Sequence, residues 1–201
     1  MELLKIKNKM HDDPHQQENS VSKYAESYVR LAKNRVIFLS EDITKETGAA
    51  MSALLLYFDN LDHEKDITIL INSNGGDASA LSAIYDTMHM IKAPVKTVCL
   101  GKCYSAGAVL LATGSPGKRV AMKNSQIMIH GLQCSFPALG EGDSPRTEKY
   151  FNFLMKSNDT IMKMLSKHIG KPIAEIEKDC QRDLYLTADQ ALAYGIIDKI
   201  L

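Results

Sequence analysis

An α/β fold built on a parallel sheet is the architecture this sequence predicts, and three observations predict it. Aliphatic runs of strand length recur at Arg35–Leu39, Asp66–Ile71 and Val95–Leu100. Between them lie segments whose apolar residues fall at helical spacing. The runs also end in clusters of turn-forming residues, as expected where a parallel strand hands over to a crossover helix. With 201 residues the chain suits one domain with a sizeable core. Residues 1–22 are polar, with little to bury, and are expected to be a mobile segment ahead of a single domain over residues 23–201.

Each element has its own justification. A short helix is expected from Tyr24 to Ala32, followed by the Arg35–Leu39 strand. From Ile43 to Leu61, the residues Ala50, Met51, Leu54, Leu55 and Phe58 recur at helical spacing. Asp66–Ile71 reads as a buried strand that runs into Asn72-Ser-Asn-Gly-Gly-Asp77, and Ala80, Ile84, Thr87, Met88 and Ile91 form one face of the next helix. The Val95–Leu100 strand reaches Gly101, and a tight turn then leads to a helix over Ser105–Ala112. Short strands follow at Arg119–Met122 and Gln126–Ile129, and a loop rich in Gly, Ser and Pro covers Gly131–Asp143. A long helix is expected over about 145–168, with a stripe of Phe151, Leu154, Met155, Met162 and Leu165. Tyr150, Phe153 and Met164 lie partly off that stripe, so this helix carries apolar surface beyond what one core needs. A helix over Ile173–Cys180, a helix opened by the capping box Thr187-Ala-Asp-Gln190 and ended by Gly195, and a strand over Ile196–Leu201 complete the chain.

Charge and cysteine usage exclude several functions. Basic and acidic residues both number 24, giving no net charge, so the positive surface that nucleic acid demands is missing. No apolar run reaches membrane-spanning length and the N-terminus has no signal-like core, so a soluble, cytoplasmic protein is expected. Cys99, Cys103, Cys134 and Cys180 form no Cys-x-x-Cys pair and lack histidines at zinc spacing, and are read as reduced thiols.

In a parallel α/β core, ligands gather at the carboxyl ends of strands, where Gly75–Gly76, Ser105 and His130 stand. Ser105 opens a helix among the small residues Ala106, Gly107 and Ala108. Unpaired N–H groups in the first turn of that helix would favour an oxyanion forming beside Ser105, but on this stretch alone the favoured reading is an ordinary N-cap, the commonest job of a serine before a helix. A serine nucleophile needs a base, and the base needs an orienting acid. Of six histidines, His11 and His15 lie in the head, His63 in a charged loop, His89 in mid-helix and His168 at a helix end. His130 alone follows a buried strand. The acid could be Asp179, Asp183, Asp189 or Asp198, and Asp183, between a helix and a hydrophobic turn, has the best position for partial burial.

Five stretches together resemble the ClpP family, the proteolytic subunit of the ATP-dependent Clp protease. They are Arg35-Val-Ile-Phe38; Ile71-Asn-Ser-Asn-Gly-Gly76 with Ile84-Tyr-Asp-Thr-Met88; Ser105-Ala-Gly-Ala108; Asn124-Ser-Gln-Ile-Met-Ile-His130; and Arg182-Asp-Leu-Tyr-Leu-Thr-Ala-Asp189 with Tyr194-Gly-Ile-Ile-Asp198. The resemblance spans Tyr24 to the C-terminus in the family's order. It implies a crotonase-like fold with a protruding handle helix, and a catalytic triad of Ser105, His130 and Asp183. The backbone N–H groups of Gly76 and Ala106 would form the oxyanion hole, a device worth about 3 to 4 kcal/mol per donor in serine proteases. It further implies heptameric rings stacked into a tetradecamer around a closed chamber, with unfolded polypeptides delivered by an AAA+ unfoldase. ATP would belong to that unfoldase, and no cofactor to this chain.

Several positions depart from the family's pattern and mark a divergent member. Asn74 replaces the proline before the glycine pair, which is expected to loosen the turn. Gly131–Gly142 replaces a substrate-pairing Gln-Pro-Leu-Gly-Gly strand. Thr68 and Leu70 replace paired tyrosines of the unfoldase-docking pocket, so docking is expected to be weak, and Gln181 replaces an acidic ring contact. The head before Tyr24 lacks the usual apolar axial-loop pattern. These changes leave open a weakly active ring subunit that needs a paralogous partner. An acyl-CoA enzyme sharing the oxyanion geometry is a third reading, disfavoured by the ordered Ser, His and Asp.

Overall fold

Strict alternation of burial along Ile67–Ser73 marks the centre of the fold, with Ile67, Ile69 and Ile71 fully enclosed. The computed structural model describes residues 25–132 and 144–201. The elements run α1 (25–33), β1 (Val36–Leu39), α2 (Lys45–Leu61), β2 (Ile67–Ser73), α3 (Ala78–Met90), β3 (Val95–Tyr104) and α4 (Ala106–Ala112). They continue with β4 (Arg119–Ala121), β5 (Gln126–Ile129), α5 (Ser144–Ile169), α6 (Ile173–Asp179), β6 (Leu184–Thr187), α7 (Ala188–Tyr194) and β7 (Lys199–Ile200). The expected mobile head over residues 1–22, most of the 131–143 loop, His11, His15 and Cys134 lie outside the described residues.

Among the described residues seven strands form one sheet with the path β1-β2-β3-β4-β7, and every pair on that path is parallel. The parallel α/β reading is therefore right. β5 leaves the path, pairing in parallel with the end of β3 and antiparallel with β6. Helices α2 and α3 each bury one face in the core, and all seven residues of α4 are buried. On α2 the buried set is Gly48, Met51, Leu55 and Phe58, whereas Ala50 is exposed and Leu54 only partly covered. Gly48 is buried because α3 comes so close that an added methyl would lie 2.8 Å from Ala80 Cβ.

Three expectations are corrected. β3 does not stop at Gly101; the residue takes φ 85°, bends the strand, and the chain stays extended to Tyr104. The segment after Asp183 is a strand and not a turn, because β5 supplies its hydrogen-bonding partner. The final strand shrinks to Lys199–Ile200, with Ile196 and Ile197 buried ahead of it.

Arg119, on β4, ties the far ends of several elements together. Its guanidinium pairs with Asp198 at 2.5 Å and donates to the carbonyl oxygens of His168 and Gly195, both at 2.9 Å. Those carbonyls lie at the C-terminal ends of α5 and α7, where a cation is favoured. On α5 the C-terminal half is buried through Ile161, Met162, Met164 and Leu165, while Tyr150, Phe151, Phe153 and Met155 are exposed. No described helix is long and apolar enough to cross a membrane.

Candidate active site

Ser105 sits where β3 becomes α4, with φ 52° and ψ −123°. A side chain other than glycine in that region carries roughly 1–3 kcal/mol of strain, retained where the surroundings over-determine it. The Ser105 hydroxyl makes no capping hydrogen bond to α4. The N-cap alternative left open by the sequence therefore fails, and the hydroxyl is left to other work. Such a strained strand-to-helix turn presents a serine at the top of a sheet.

Strand register places the other residues. β3 pairs with β5 through Tyr104↔Met128, and Ser105 N–H continues the ladder by donating to Met128 O at 2.8 Å. β5 pairs with β6 through Ile129↔Leu184. One step further along this antiparallel pair, His130 comes opposite Asp183. The same count sets Ser105 level with Ile129, so Ser105, His130 and Asp183 stand within one residue of a common line across three adjacent strands about 5 Å apart.

The glycine pair reaches the row from β2. A methyl group on Gly75 would lie 2.8 Å from both the Ala106 nitrogen and Ser105 Cβ, so the turn lies directly on the serine. Gly76 takes φ 147°, and a methyl there would lie 2.2 Å from Ile43 O. Among the described residues the Gly76 N–H has no acceptor, and Ala106 is the first residue of α4, where helix N–H groups are intrinsically unpaired. The turn that Asn74 is expected to loosen carries three hydrogen bonds. The Asn74 side chain donates to Asp42 Oδ1 at 3.0 Å, Gly75 N–H donates to Ser73 Oγ at 3.1 Å, and Ile43 N–H donates to Gly75 O at 2.7 Å.

Ser105, His130, Asp183, Gly76 and Ala106 all line one cavity of about 370 Å³. Its remaining wall is largely apolar, with Leu81, Val109, Met128 and Ile161. The competing acids are placed elsewhere: Asp198 pairs with Arg119, Asp179 accepts from the Tyr194 hydroxyl at 2.8 Å, and Asp189 lies in the first turn of α7. His168 accepts or donates with the Tyr85 hydroxyl at 3.1 Å and packs against His89. Burial first, then the charges of His89, Lys167 and Arg119, push His168 down to about 4.

Among the described residues no hydrogen bond links these three side chains into a relay. His130 Nδ1 is buried with no hydrogen-bond partner among the described residues. Asp183 Oδ2 instead accepts from the Tyr185 hydroxyl at 3.3 Å. Desolvation and then the Asp183 charge hold the Tyr185 phenol above its ordinary value. Tyr185 was not singled out by sequence reasoning. Its position two residues after Asp183 would have placed both on one face had Leu184–Thr187 been read as a strand.

The Clp protease family model matches residues 17–201. The chain belongs to the Clp protease family. It is 41% identical over 174 residues to ATP-dependent Clp protease proteolytic subunit 4 of Streptomyces avermitilis, covering 87% of this chain and 76% of that one. The proteolytic subunits 2 of Streptomyces coelicolor and Frankia casuarinae are each 41% identical over 174 residues, covering 87% of this chain and 78% of theirs. Among the described residues of this Clp protease chain, no cluster of three or more His, Cys, Asp or Glu side chains could hold a metal ion.

Proposed function

We propose that the chain is a serine endopeptidase subunit of a barrel-shaped, ATP-dependent Clp assembly. The observation that carries this reading is the convergence of Ser105, His130, Asp183, Gly76 and Ala106 on one cavity, with Ser105 held at a positive φ. In the reaction Ser105 Oγ attacks the peptide carbonyl carbon while His130 takes its proton. Asp183 orients the imidazole and stabilises its charged form, and the Gly76 and Ala106 N–H groups receive the developing oxyanion. His130 then gives its proton to the leaving amine, and water repeats the sequence on the acyl-enzyme. The apolar wall favours an uncharged side chain next to the cut.

The exposed Tyr150, Phe151, Phe153 and Met155 on α5 support assembly into stacked heptameric rings, where a protruding handle would cover them. An AAA+ unfoldase would deliver unfolded polypeptides and consume the ATP. A second reading, dependence on a paralogous partner subunit, is supported by the unpartnered His130 Nδ1 and by the bond between Asp183 and Tyr185. Names of relatives numbered as subunits 2 and 4 support the same reading.

The test is labelling of the purified full chain with a fluorophosphonate, read by intact mass beside Ser105→Ala. Stoichiometric label that disappears in Ser105→Ala, with assembly size unchanged, is the expected result for a self-sufficient hydrolase. Label that appears only after co-expression with a paralogous subunit identifies the partner-dependent form. Label or hydrolysis that persists in Ser105→Ala refutes the nucleophile.

A further inference from the structure

Strand β3 is continuous in sequence but interrupted in its pairing. Opposite β2 its partners run Ile71↔Cys99 and then Ser73↔Cys103, so Leu100, Gly101 and Lys102 face the single residue Asn72. The positive φ of Gly101 takes up the extra chain. Ile71 and Ser73 lie two apart on the buried face of β2, and their partners inherit that face and spacing. The Cα atoms of Cys99 and Cys103 are therefore about 6.5 Å apart, where residues four apart on a regular strand stand at about 13 Å. That separation lies within the upper part of the range a disulfide spans. Both thiols are fully buried, and the Cys103 thiol donates toward Ile71 O at 3.7 Å.

We propose that Cys99 and Cys103 are a reversible dithiol site that is closed to a disulfide by a peroxide and, once closed, disarms Ser105. The neighbouring Cys103 thiol holds the Cys99 thiol below its ordinary value, whereas burial pushes Cys103 up, so Cys99 is the attacking sulfur. The Cys99 thiolate attacks one peroxide oxygen and the O–O bond breaks. The departing hydroxide takes a proton and leaves as water, giving a sulfenic acid on Cys99. The Cys103 sulfur then attacks the Cys99 sulfur, the S–O bond breaks, and the Cys103 proton leaves with the hydroxyl as a second water. Two thiols are oxidised and one peroxide is reduced.

Closure draws Cys103 toward Cys99 at the expense of the bend. Cys103 is the register partner of Ser73, whose hydroxyl holds Gly75 N–H, and Ser105 follows Cys103 by two residues. Moving Cys103 therefore displaces Ser105 relative to the Gly75–Gly76 turn. This consequence rests on the hydrolase reading above, whereas the crosslink itself does not.

The experiment treats the full-length protein with hydrogen peroxide, blocks remaining thiols with iodoacetamide and digests with trypsin without reduction. Cleavage after Lys102 separates the two cysteines, so their disulfide joins the peptides Thr97–Lys102 and Cys103–Lys118. The expected result is this linked pair, absent in Cys103→Ala. Fluorophosphonate labelling of Ser105 should fall roughly 10- to 100-fold, as for a displacement of up to an ångström, and return with dithiothreitol. A folded, peroxide-treated protein without the linked pair, or with links through Cys134 or Cys180 in its place, overturns the proposal. The linked pair with an unchanged labelling rate overturns the hold on Ser105. Absence of label before peroxide, both alone and after co-expression with a paralogous subunit, overturns the hydrolase reading alone, and the peptide map still decides the disulfide.

Discussion

Replacing Gly76 by alanine tests the oxyanion geometry most directly. The new methyl would lie 2.2 Å from Ile43 O, 2.8 Å from Ile43 N and 2.9 Å from Ile43 C, all of them backbone atoms that no rotamer change can move. Restoring an ordinary van der Waals separation takes a shift of about 1 Å. That shift strains the flanking bonds, Ile43 N–H to Gly75 O at 2.7 Å and Asp77 N–H to Ile43 O at 2.8 Å. Each hydrogen bond is worth about 1 kcal/mol, and a methyl-bearing residue at φ 147° costs about 1–3 kcal/mol more. The Gly76→Ala protein should lose about 2 to 4 kcal/mol of stability. Its fluorophosphonate labelling and peptide hydrolysis should fall roughly 100- to 1,000-fold, the loss typical of a misplaced oxyanion donor. Gly117→Ala is the control, since Gly117 also has a positive φ of 79° but an added methyl there meets nothing within 4 Å. It should cost about 1 kcal/mol and leave the chemistry alone. Labelling rate, assembly mass and thermal midpoint are measured for both. A folded Gly76→Ala protein with activity within a factor of a few of the parent would refute the assignment of the Gly76 N–H.

Two further predictions concern the clamp around β4. Asp198→Asn breaks a largely buried pair and should cost about 3 kcal/mol, lowering the thermal midpoint by several degrees, with no change in labelling rate per folded molecule. Burial works against the Asp198 charge, but its hydrogen bonds from Arg119 win and hold the carboxyl below its ordinary value. Its contribution is therefore full above the ordinary carboxylate range and is lost as pH falls through the lowered value, a loss that Asp198→Asn should not show. His168, at about 4 when folded, binds its proton more weakly than in the unfolded chain. Stability should fall as pH drops from about 6.5 toward 4, and a shallower fall in His168→Asn, followed by thermal midpoint against pH, is expected.

Much of the fold was legible because its signals are local. Alternation along Ile67–Ile71, the capping box at Thr187 and the glycine at Gly195 each specify their element within a few residues. What escaped depends on pairing between distant segments. Gly101 reads as a strand end because a glycine closes the β-branched run, yet β5 satisfies the residues beyond it through Lys102↔Gln126. Leu184–Thr187 is four residues long and extended only because Gln126–Ile129 lies beside it. Within the site, residue types and order were readable through the family resemblance. The partner of Asp183 was not, because which donor a carboxylate accepts from is set by side-chain geometry that leaves no trace in spacing.

The bend at Gly101 also moves β3 from one neighbour to another, with Thr97–Cys99 paired to β4 and Lys102–Tyr104 paired to β5. The end of β3, β5 and β6 make a small ribbon whose rim carries Ser105, His130 and Asp183. Gly76 is fastened to Ile43 and the main sheet, and the pairing of Ser73 with Cys103 joins the ribbon to that sheet beyond the bend. In the proposed reaction, the gap that receives the oxyanion therefore lies at a seam between two groups of strands, with one glycine at the corner where they meet.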